Sequence, residues 1–213
     1  MIRPLRGAAE YAACVELQRR TWGEQFAELV PPSMLMVSQE MGGVASGAFD
    51  GDRLAGFVYG ISGVRDGELT HWSDMLAVDP AYRGHGLGRR LKLHQRDLLL
   101  GLGIRLMVWT YDPLVARNAH LNLSTLGAIA RTYKRDAYGA SNSPLHAGIG
   151  TDRLLAEWRL DSDRVIHRLE GRGADDEPAP PLLAVPEPGD PFPRPGPFSP
   201  APGHPERVGV AVP

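Results

Sequence analysis

The stretch of this chain best suited to chemistry is Leu76-Ala77-Val78-Asp79-Pro80-Ala81-Tyr82-Arg83-Gly84-His85-Gly86-Leu87-Gly88-Arg89-Arg90. An apolar run ends there, a turn follows, and three glycines within five residues lead into a helical pattern. Glycine lets backbone approach an anion closely, and the first helical turn carries N–H groups with no partner inside the helix. Residues 81–105 hold six basic side chains (Arg83, Arg89, Arg90, Lys92, Arg96 and Arg105) against one acidic, Asp97. The same corner is therefore electropositive. Such a loop takes phosphate or pyrophosphate. It does not spell the dinucleotide fingerprint G-x-G-x-x-G, and it lacks the lysine and hydroxyl that follow the glycines of a P-loop.

The elements that must position this loop follow from periodicity and punctuation. IRPL (2–5) is a short strand, and residues 9–22 have helical spacing up to Gly23. Pro31-Pro32 opens a second helix that Gly42-Gly43 ends. Two β runs then flank the turn Asp50-Gly51-Asp52, and residues 69–78 form a long strand closed by Asp79-Pro80. Helix 87–100, strand 104–111, helix 114–127 and two late strands complete an order of β-α-α-β-β-β-α-β-α-β-β. The fold class is α/β, with a mostly antiparallel front and one parallel crossover through 69–111.

Composition sets the outer limits. The 213 residues carry a net charge of −2 and 43% hydrophobic residues, enough for one domain with a core. Residues 171–213 hold 13 of the 19 prolines and read as an extended appendage to a domain over 1–170. Leu182, Leu183, Val185, Phe192 and Phe198 are its expected anchors, and a homodimer is the expected assembly. A single cysteine, Cys14, rules out an intrachain disulfide framework and a cysteine-cluster metal site, so no metal is expected. Cys14 sits among Ala12, Ala13 and Val15 and reads as core rather than nucleophile. No signal peptide, membrane span or nucleic-acid surface is expected, and a cytoplasmic setting is.

The spelling Arg83-x-x-Gly86-x-Gly88, preceded by Leu76-x-Val78-x-Pro80, resembles the acyl-CoA-binding motif of the GCN5-related N-acetyltransferase superfamily. The element order is similar to that family's fold from residue 2 to about 160. The resemblance implies a mixed sheet, splayed between its two parallel strands, with helices on both faces. It implies acetyl-CoA or succinyl-CoA as donor, with pantetheine along Met75, Leu76, Ala77 and Val78. Amides from Gly84, His85, Gly86, Leu87, Gly88 and Arg89 would hold the pyrophosphate, Arg83 and Arg89 would sit near its charge, and Asn118 would be a further contact.

Acyl transfer to an amine of pKa ~9 to 10 needs a proton acceptor, a polarised carbonyl and a proton for the leaving thiolate. Family members often use a carboxylate on the strand before the glycine loop. Here that strand reads His71-Trp72-Ser73-Asp74. By strict alternation Asp74 shares the face of Trp72, Leu76 and Val78, and His71 and Ser73 take the other. Asp74 is the first candidate base; His71 is the second, because its unperturbed pKa of ~6.5 suits the task. The family's usual tyrosine position is Leu123 here, so the acid is open, with Tyr111 the first substitute and Tyr133 or Tyr138 behind it. A thiolate of pKa ~8.5 can also leave without a dedicated acid.

Residues 131–139, with Asn118, Asn122 and Gly150-Thr151-Asp152-Arg153, resemble a branch of predicted acetyltransferases. Some relatives of that branch N-acylate amino acids, including with succinyl-CoA. A small amine acceptor bearing a carboxylate would then meet Arg131, Tyr133, Lys134, Arg135 and Arg153. Two other readings stand beside it. A peptide or protein N-acetyltransferase needs an open groove, and a non-catalytic acyl-CoA-binding protein keeps the loop but lacks a competent base.

Overall fold

The structure, a computed structural model, describes residues 1–139 and 150–172, with the backbone of 181–183 and 209–210. The chain divides into two compact units, Met1–Leu169 and Glu170–Pro213. The second contains a two-stranded parallel pairing of β8 (Pro181–Leu183) with β9 (Gly209–Val210). The proposed tail anchors Val185, Phe192 and Phe198 lie outside the described residues.

The first unit is built on a seven-stranded sheet of order β1-β2-β3-β4-β5-β7-β6. Its strands are β1 (Ile2–Pro4), β2 (Val44–Asp50), β3 (Arg53–Arg65), β4 (Glu68–Val78), β5 (Leu106–Tyr111), β6 (Ile129–Lys134) and β7 (Arg153–Arg159). Every neighbouring pair is antiparallel except β4 and β5. That parallel pair needs a crossover, which α3 (Leu87–Gly101) supplies. The element order through β7 is the one expected from the sequence.

Helices cover both faces. On one, α1 (Gly7–Trp22) buries Tyr11, Cys14, Val15 and Gln18, a 3.6-residue stripe, and α2 (Pro32–Glu40) buries Leu35. Together with Phe57, Tyr59, Met75 and Ala77 of the sheet they form one core. On the other face, Leu87, Leu91 and Leu99 of α3 pack with Val58, Met107, Trp109, Trp158 and Val165. Trp109 and Trp158 meet edge to face with centroids 6.1 Å apart. Among the described residues no helix is long and apolar enough to cross a membrane.

Three local features depart from expectation. The helix expected over 114–127 is a short α4 (Ala116–Ala119) running into a π-helical turn over His120–Thr125. A helix not foreseen, α5 (Asp163–Leu169), follows β7 and is tied back by Arg164 Nε donating to Gly127 O at 3.1 Å. Most consequential is a β-bulge in β4. From Tyr59 to Ile61 on β3 is two residues, while their partners Met75 and Trp72 are three apart, so β4 carries one extra residue at Ser73-Asp74.

Candidate active site

β4 and β5 pair only through Thr70 with Leu106, His71 with Met107 and Trp72 with Val108. Beyond Trp72 and Val108 the two strands continue unpaired, β4 to Val78 and β5 to Tyr111. The sheet thus opens into a fork, and the edge of β4 over Met75, Leu76, Ala77 and Val78 borders it. The opposite edge of those residues is paired with β3, Val78 to Gly56 and Met75 to Tyr59. An extended chain slipped into the fork would find unpaired backbone donors and acceptors on both sides.

The glycine loop lies at the end of this edge. Asp79, 3% exposed, pins the turn by accepting from Ala81 N at 3.0 Å, Arg20 at 2.9 Å and Arg53 at 3.3 Å. Those donors, the Ala81 amide first, hold its carboxyl below the ordinary carboxylate range. Gly84 and Gly86 adopt φ of +83° and +69°, left-handed values that favour glycine. The first bond of α3 is Arg90 N to Gly86 O at 3.1 Å. Among the described residues, the amides of Gly84, His85, Gly86, Leu87, Gly88 and Arg89 therefore have no acceptor. A Cβ built at Gly84 or Gly86 would meet nothing within 4 Å, so the space before these amides is open. A run of free amides at the N-terminus of a 15-residue helix fits a diphosphate.

Two of the basic side chains near the loop, Arg83 and Arg89, are engaged elsewhere. Arg83 Nε donates to Val78 O at 3.0 Å, and Arg89 Nη2 reaches Leu169 O, the last carbonyl of α5, at 3.4 Å. His85 is exposed in the loop, and Asn118 is half-buried on α4.

The bulge corrects the alternation expected for β4. Leu76 and Val78 pack with the α3-side core, whereas Met75 and Ala77 belong to the α1–α2-side core. His71 and Ser73 bond to Gln95 and Lys92 of α3, so they share the face of Leu76 and Val78. Asp74, which accepts from Trp72 Nε1 at 3.1 Å, lies on the opposite face with Trp72. The extra residue reverses the parity between Asp74 and Leu76. Asp74 is open to solvent on one side and crowded on the other. Loss of hydration on the crowded side pushes its carboxyl above the usual range, against the smaller opposing effect of the Trp72 bond.

His71 occupies different surroundings from those a base needs. It is fully buried, and burial, with Lys92 nearby, pushes its pKa down to about 3. Gln95 Nε2 donates to His71 Nε2 at 2.9 Å. Nδ1 must then carry the proton and donate to Ser62 Oγ at 2.9 Å, while Ser62 donates to Gly42 O at 2.7 Å. Ser73 Oγ donates to Gln95 Oε1 at 2.9 Å and accepts from Lys92 Nζ at 2.7 Å. Five side chains are thus linked in one directional chain beneath β4. Lys92 and Gln95 were not singled out from the sequence as part of a buried layer. Their spacing with Leu91 and Leu99 on the inner stripe of α3 was the available signal.

Tyr111, the last residue of β5, is 5% exposed, and its hydroxyl has no partner among the described residues. Burial raises its pKa. The other tyrosines considered as acids are partnered: Tyr133 donates to Asp152, and Tyr138 Oη lies 2.6 Å from Thr110 Oγ1. Cys14 is fully buried and its thiol is pushed up to about 12 by burial, which leaves it inert as a nucleophile.

The basic residues expected around an acceptor separate onto different surfaces. Lys134 pairs in register with Arg153, and its Nζ stands 5.9 Å from the Trp72 ring. Arg153, 6% exposed, stacks over Tyr138 at 5.5 Å. Lys134 and Arg153 thus join the Asp74 face. Tyr133 alternates to the other face and lines a cavity of about 110 Å³ with Asp112, Leu114 and Asp152. Arg131, in the irregular part of β6, and Arg135, just after it, are exposed. Among the described residues no cluster of three His, Cys, Asp or Glu side chains could hold a metal ion.

Comparison with known proteins bears on this geometry. A model of the acetyltransferase (GNAT) family matches residues 11–122. Among solved structures, yncA from Salmonella typhimurium with its cofactor acetyl-CoA is 20% identical, with a TM-score of 0.60, covering 76% of this chain and 94% of that one. The ribosomal-protein-S18-alanine N-acetyltransferase from Escherichia coli is 22% identical (TM-score 0.55, 76% and 94% covered). An acetyltransferase of the GNAT family from Streptococcus pneumoniae is 18% identical (TM-score 0.59, 74% and 97% covered). At these identities the likeness is one of fold. No curated protein matches the chain in sequence.

Proposed function

The chain belongs to the acetyltransferase (GNAT) family, and from that premise we propose that it is an acyl-CoA-dependent N-acyltransferase. The donor is acetyl-CoA or succinyl-CoA, and the acceptor is the amine of a small carboxylate-bearing molecule such as an amino acid. The observation that carries this reading is the fork between β4 and β5, ending on the free amides of Gly84 to Arg89. These amides and the α3 dipole bind the diphosphate, with Arg83 and His85 at the rim and Asn118 beside the open end. Pantetheine lies along Met75 to Val78. Tyr111, whose buried hydroxyl lacks a partner among the described residues, donates to the donor molecule within the fork.

Asp74 is the base. It is the carboxylate beside the fork that faces away from α3, and its raised pKa brings it closer to the amine it must deprotonate. Lys134 and Arg153 clamp the acceptor carboxylate on the same face, with Arg131 and Arg135 at the mouth and Tyr133 behind them. Clamping orients the amine, which is worth several kcal/mol of barrier (order of magnitude). Transfer is direct within a ternary complex, since the one cysteine, Cys14, is buried and inert.

Two measurements test this. Calorimetry with acetyl-CoA should show binding that Gly86→Glu abolishes while the variant stays folded; equal affinity would remove the loop as the site. A thiol-release screen should then cross acetyl-CoA and succinyl-CoA with amino acids, their amides, polyamines and short peptides. Free acids should outperform the matching amides at least about 10-fold, because the amide forfeits a charge-assisted pair. A preference for peptides would favour the peptide N-acetyltransferase reading, and binding without thiol release would favour a non-catalytic protein.

We also propose a homodimer, acting in the cytoplasm. Val64 and Leu69 face each other across the β3–β4 hairpin and are 71% and 51% exposed, an apolar surface suited to a second copy. Light scattering that reports a monomer refutes it.

A further inference from the structure

Lys92 is 3% exposed and has no carboxylate partner among the described residues. A buried ammonium without a counter-ion is costly and calls for a reason. Its position suggests one. Ser73 and Trp109 are the first residues past the last paired rung of β4 and β5. Lys92 Nζ donates to Ser73 Oγ at 2.7 Å and lies 4.0 Å from the centroid of the Trp109 ring. It therefore bridges the two strands at the apex of the fork. Its remaining near neighbour is Met107 Sδ at 3.9 Å, and beyond Ser73 stand Gln95 and neutral His71. From α3, β4 and β5 alike, only neutral groups face it.

We propose that Lys92 is the general acid of the transfer, donating its proton to the sulfur that leaves. The proposal rests on the acyltransferase reading above, which puts a thioester in the fork. As the acceptor nitrogen bonds to the carbonyl carbon, the C–S bond breaks and its electron pair goes to sulfur. A proton passes from Nζ to sulfur, giving CoASH and a neutral Lys92 amine. The acceptor ammonium loses two protons overall: one passes through Asp74 to solvent, and the equivalent of the other returns from solvent to Lys92. Position 123, where a tyrosine would stand by family resemblance, is leucine, so the role is otherwise unfilled in the π-helical turn after α4.

Proton affinity separates Lys92 from Tyr111. Burial lowers the Lys92 ammonium to about 7, below a thiol of ~8.5, so transfer runs downhill. Burial raises the Tyr111 phenol, so transfer from it runs uphill.

Thiol release should be followed across pH for wild type, Lys92→Met and Lys92→Arg. Methionine keeps length and packing against Trp109; arginine keeps charge but holds its proton. Both should lower kcat about 10²-fold or more, with KM for acetyl-CoA within about threefold of wild type. An acid must be protonated, so the wild-type rate falls as pH rises through its pKa, and that descending limb should vanish in both variants. Tyr111→Phe should weaken donor binding and keep the limb. Variants that retain kcat within about threefold, or retain the limb, overturn the proposal.

A second readout needs neither turnover nor a variant. The thiol of CoASH bound to the wild-type protein, followed by its ultraviolet thiolate absorbance, should ionise no lower than free CoASH, because the amine of Lys92 has given up its proton and offers a thiolate no charge. A bound thiol that ionises about one pH unit or more below the free value would mean that Lys92 keeps its proton beside the thiolate, which overturns the proposal even if the variants fail to fold. Binding and thiol ionisation as expected, with no acceptor acylated, would leave Lys92 in place and sink the acyltransferase reading instead. Failure of CoASH to bind removes both.

Discussion

The two faces of β4 are built on opposite terms. Toward α3, His71 and Ser73 are buried and joined with Ser62, Gln95 and Lys92 into a chain in which each side chain donates to the next. Toward the other side, Asp74 is exposed, with one bond from Trp72 and a carboxyl whose proton affinity is raised. A satisfied polar layer fixes geometry, and an under-satisfied carboxylate at the surface is available for proton transfer. One inserted residue separates the two. Without the bulge at Ser73-Asp74, a single alternation would run through the strand, and Asp74 would face α3 with Leu76.

The largest way to break this contrast is to fill the space opposite the bulge. A Cβ at Gly60 would come 2.3 Å from His71 Nε2 and 2.4 Å from Trp72 O. Gly60→Val should destabilise the fold by on the order of 3 kcal/mol or more, because backbone cannot yield as a side-chain tip can. Gly63→Ala, three residues along the same strand, meets nothing within 4 Å and should stay within about 0.5 kcal/mol of wild type. Urea unfolding of both distinguishes a required glycine from an incidental one. Equal stability of the two variants would mean that the bulge relaxes freely, and the separation of faces would lose its structural basis.

On the open face the prediction concerns rate. Asp74→Asn keeps the shape and the acceptor for Trp72 Nε1 but removes the proton acceptor. We expect kcat/KM to fall about 10²-fold with acetyl-CoA affinity unchanged. An unaltered pH–rate profile would exclude Asp74 and leave an ordered water as the base, since His71 is enclosed.

Much of this was legible before any coordinates. The order of elements through β7 follows from hydrophobic period and from Gly and Pro punctuation, and the glycine loop announces an anion site by composition alone. The bulge was not legible. Alternation in His71-Trp72-Ser73-Asp74-Met75-Leu76 looks unbroken from within the strand, and the compensating Gly60 sits in another one. The buried layer is hidden for a related reason. A helix rich in arginine suggests a solvated face, yet Lys92 and Gln95 fall on the stripe of Leu91 and Leu99. Helix α5 has seven residues, too few for a periodic signal, and is held by Val165 and by contacts from distant residues.

The closed face should also respond to acid in a way the open face does not. His71 stays neutral in the fold down to about 3, but in the unfolded chain it takes up a proton below ~6.5. The unfolded state therefore binds more protons between those values, and stability falls as pH falls. Between pH 7 and pH 5 the expected loss is about 2 kcal/mol, at ~1.4 kcal/mol per unit. His94, also depressed by burial, adds in the same direction. In His71→Gln the slope should flatten. If it does not, the loss belongs to other groups, and the neutral tautomer assigned to His71 is wrong.

The smallest effect is expected at Arg89, and it sharpens the contrast on the α3 side itself. There, backbone binds and side chains hold. The Arg89 amide is one of the free donors at the head of α3, while its guanidinium turns away to Leu169 O at 3.4 Å. Cations near a helix C-terminus contribute only about 0.3–1 kcal/mol when partly exposed. Arg89→Ala should therefore cost that much in stability and change the acetyl-CoA dissociation constant less than about threefold, since the amide remains. A direct ion pair with the diphosphate would cost about 10-fold or more and weaken with salt. Calorimetry at low and high salt separates the outcomes. A large, salt-sensitive loss would mean that the guanidinium leaves α5 when the donor binds, and that side chains on this face also take part in binding.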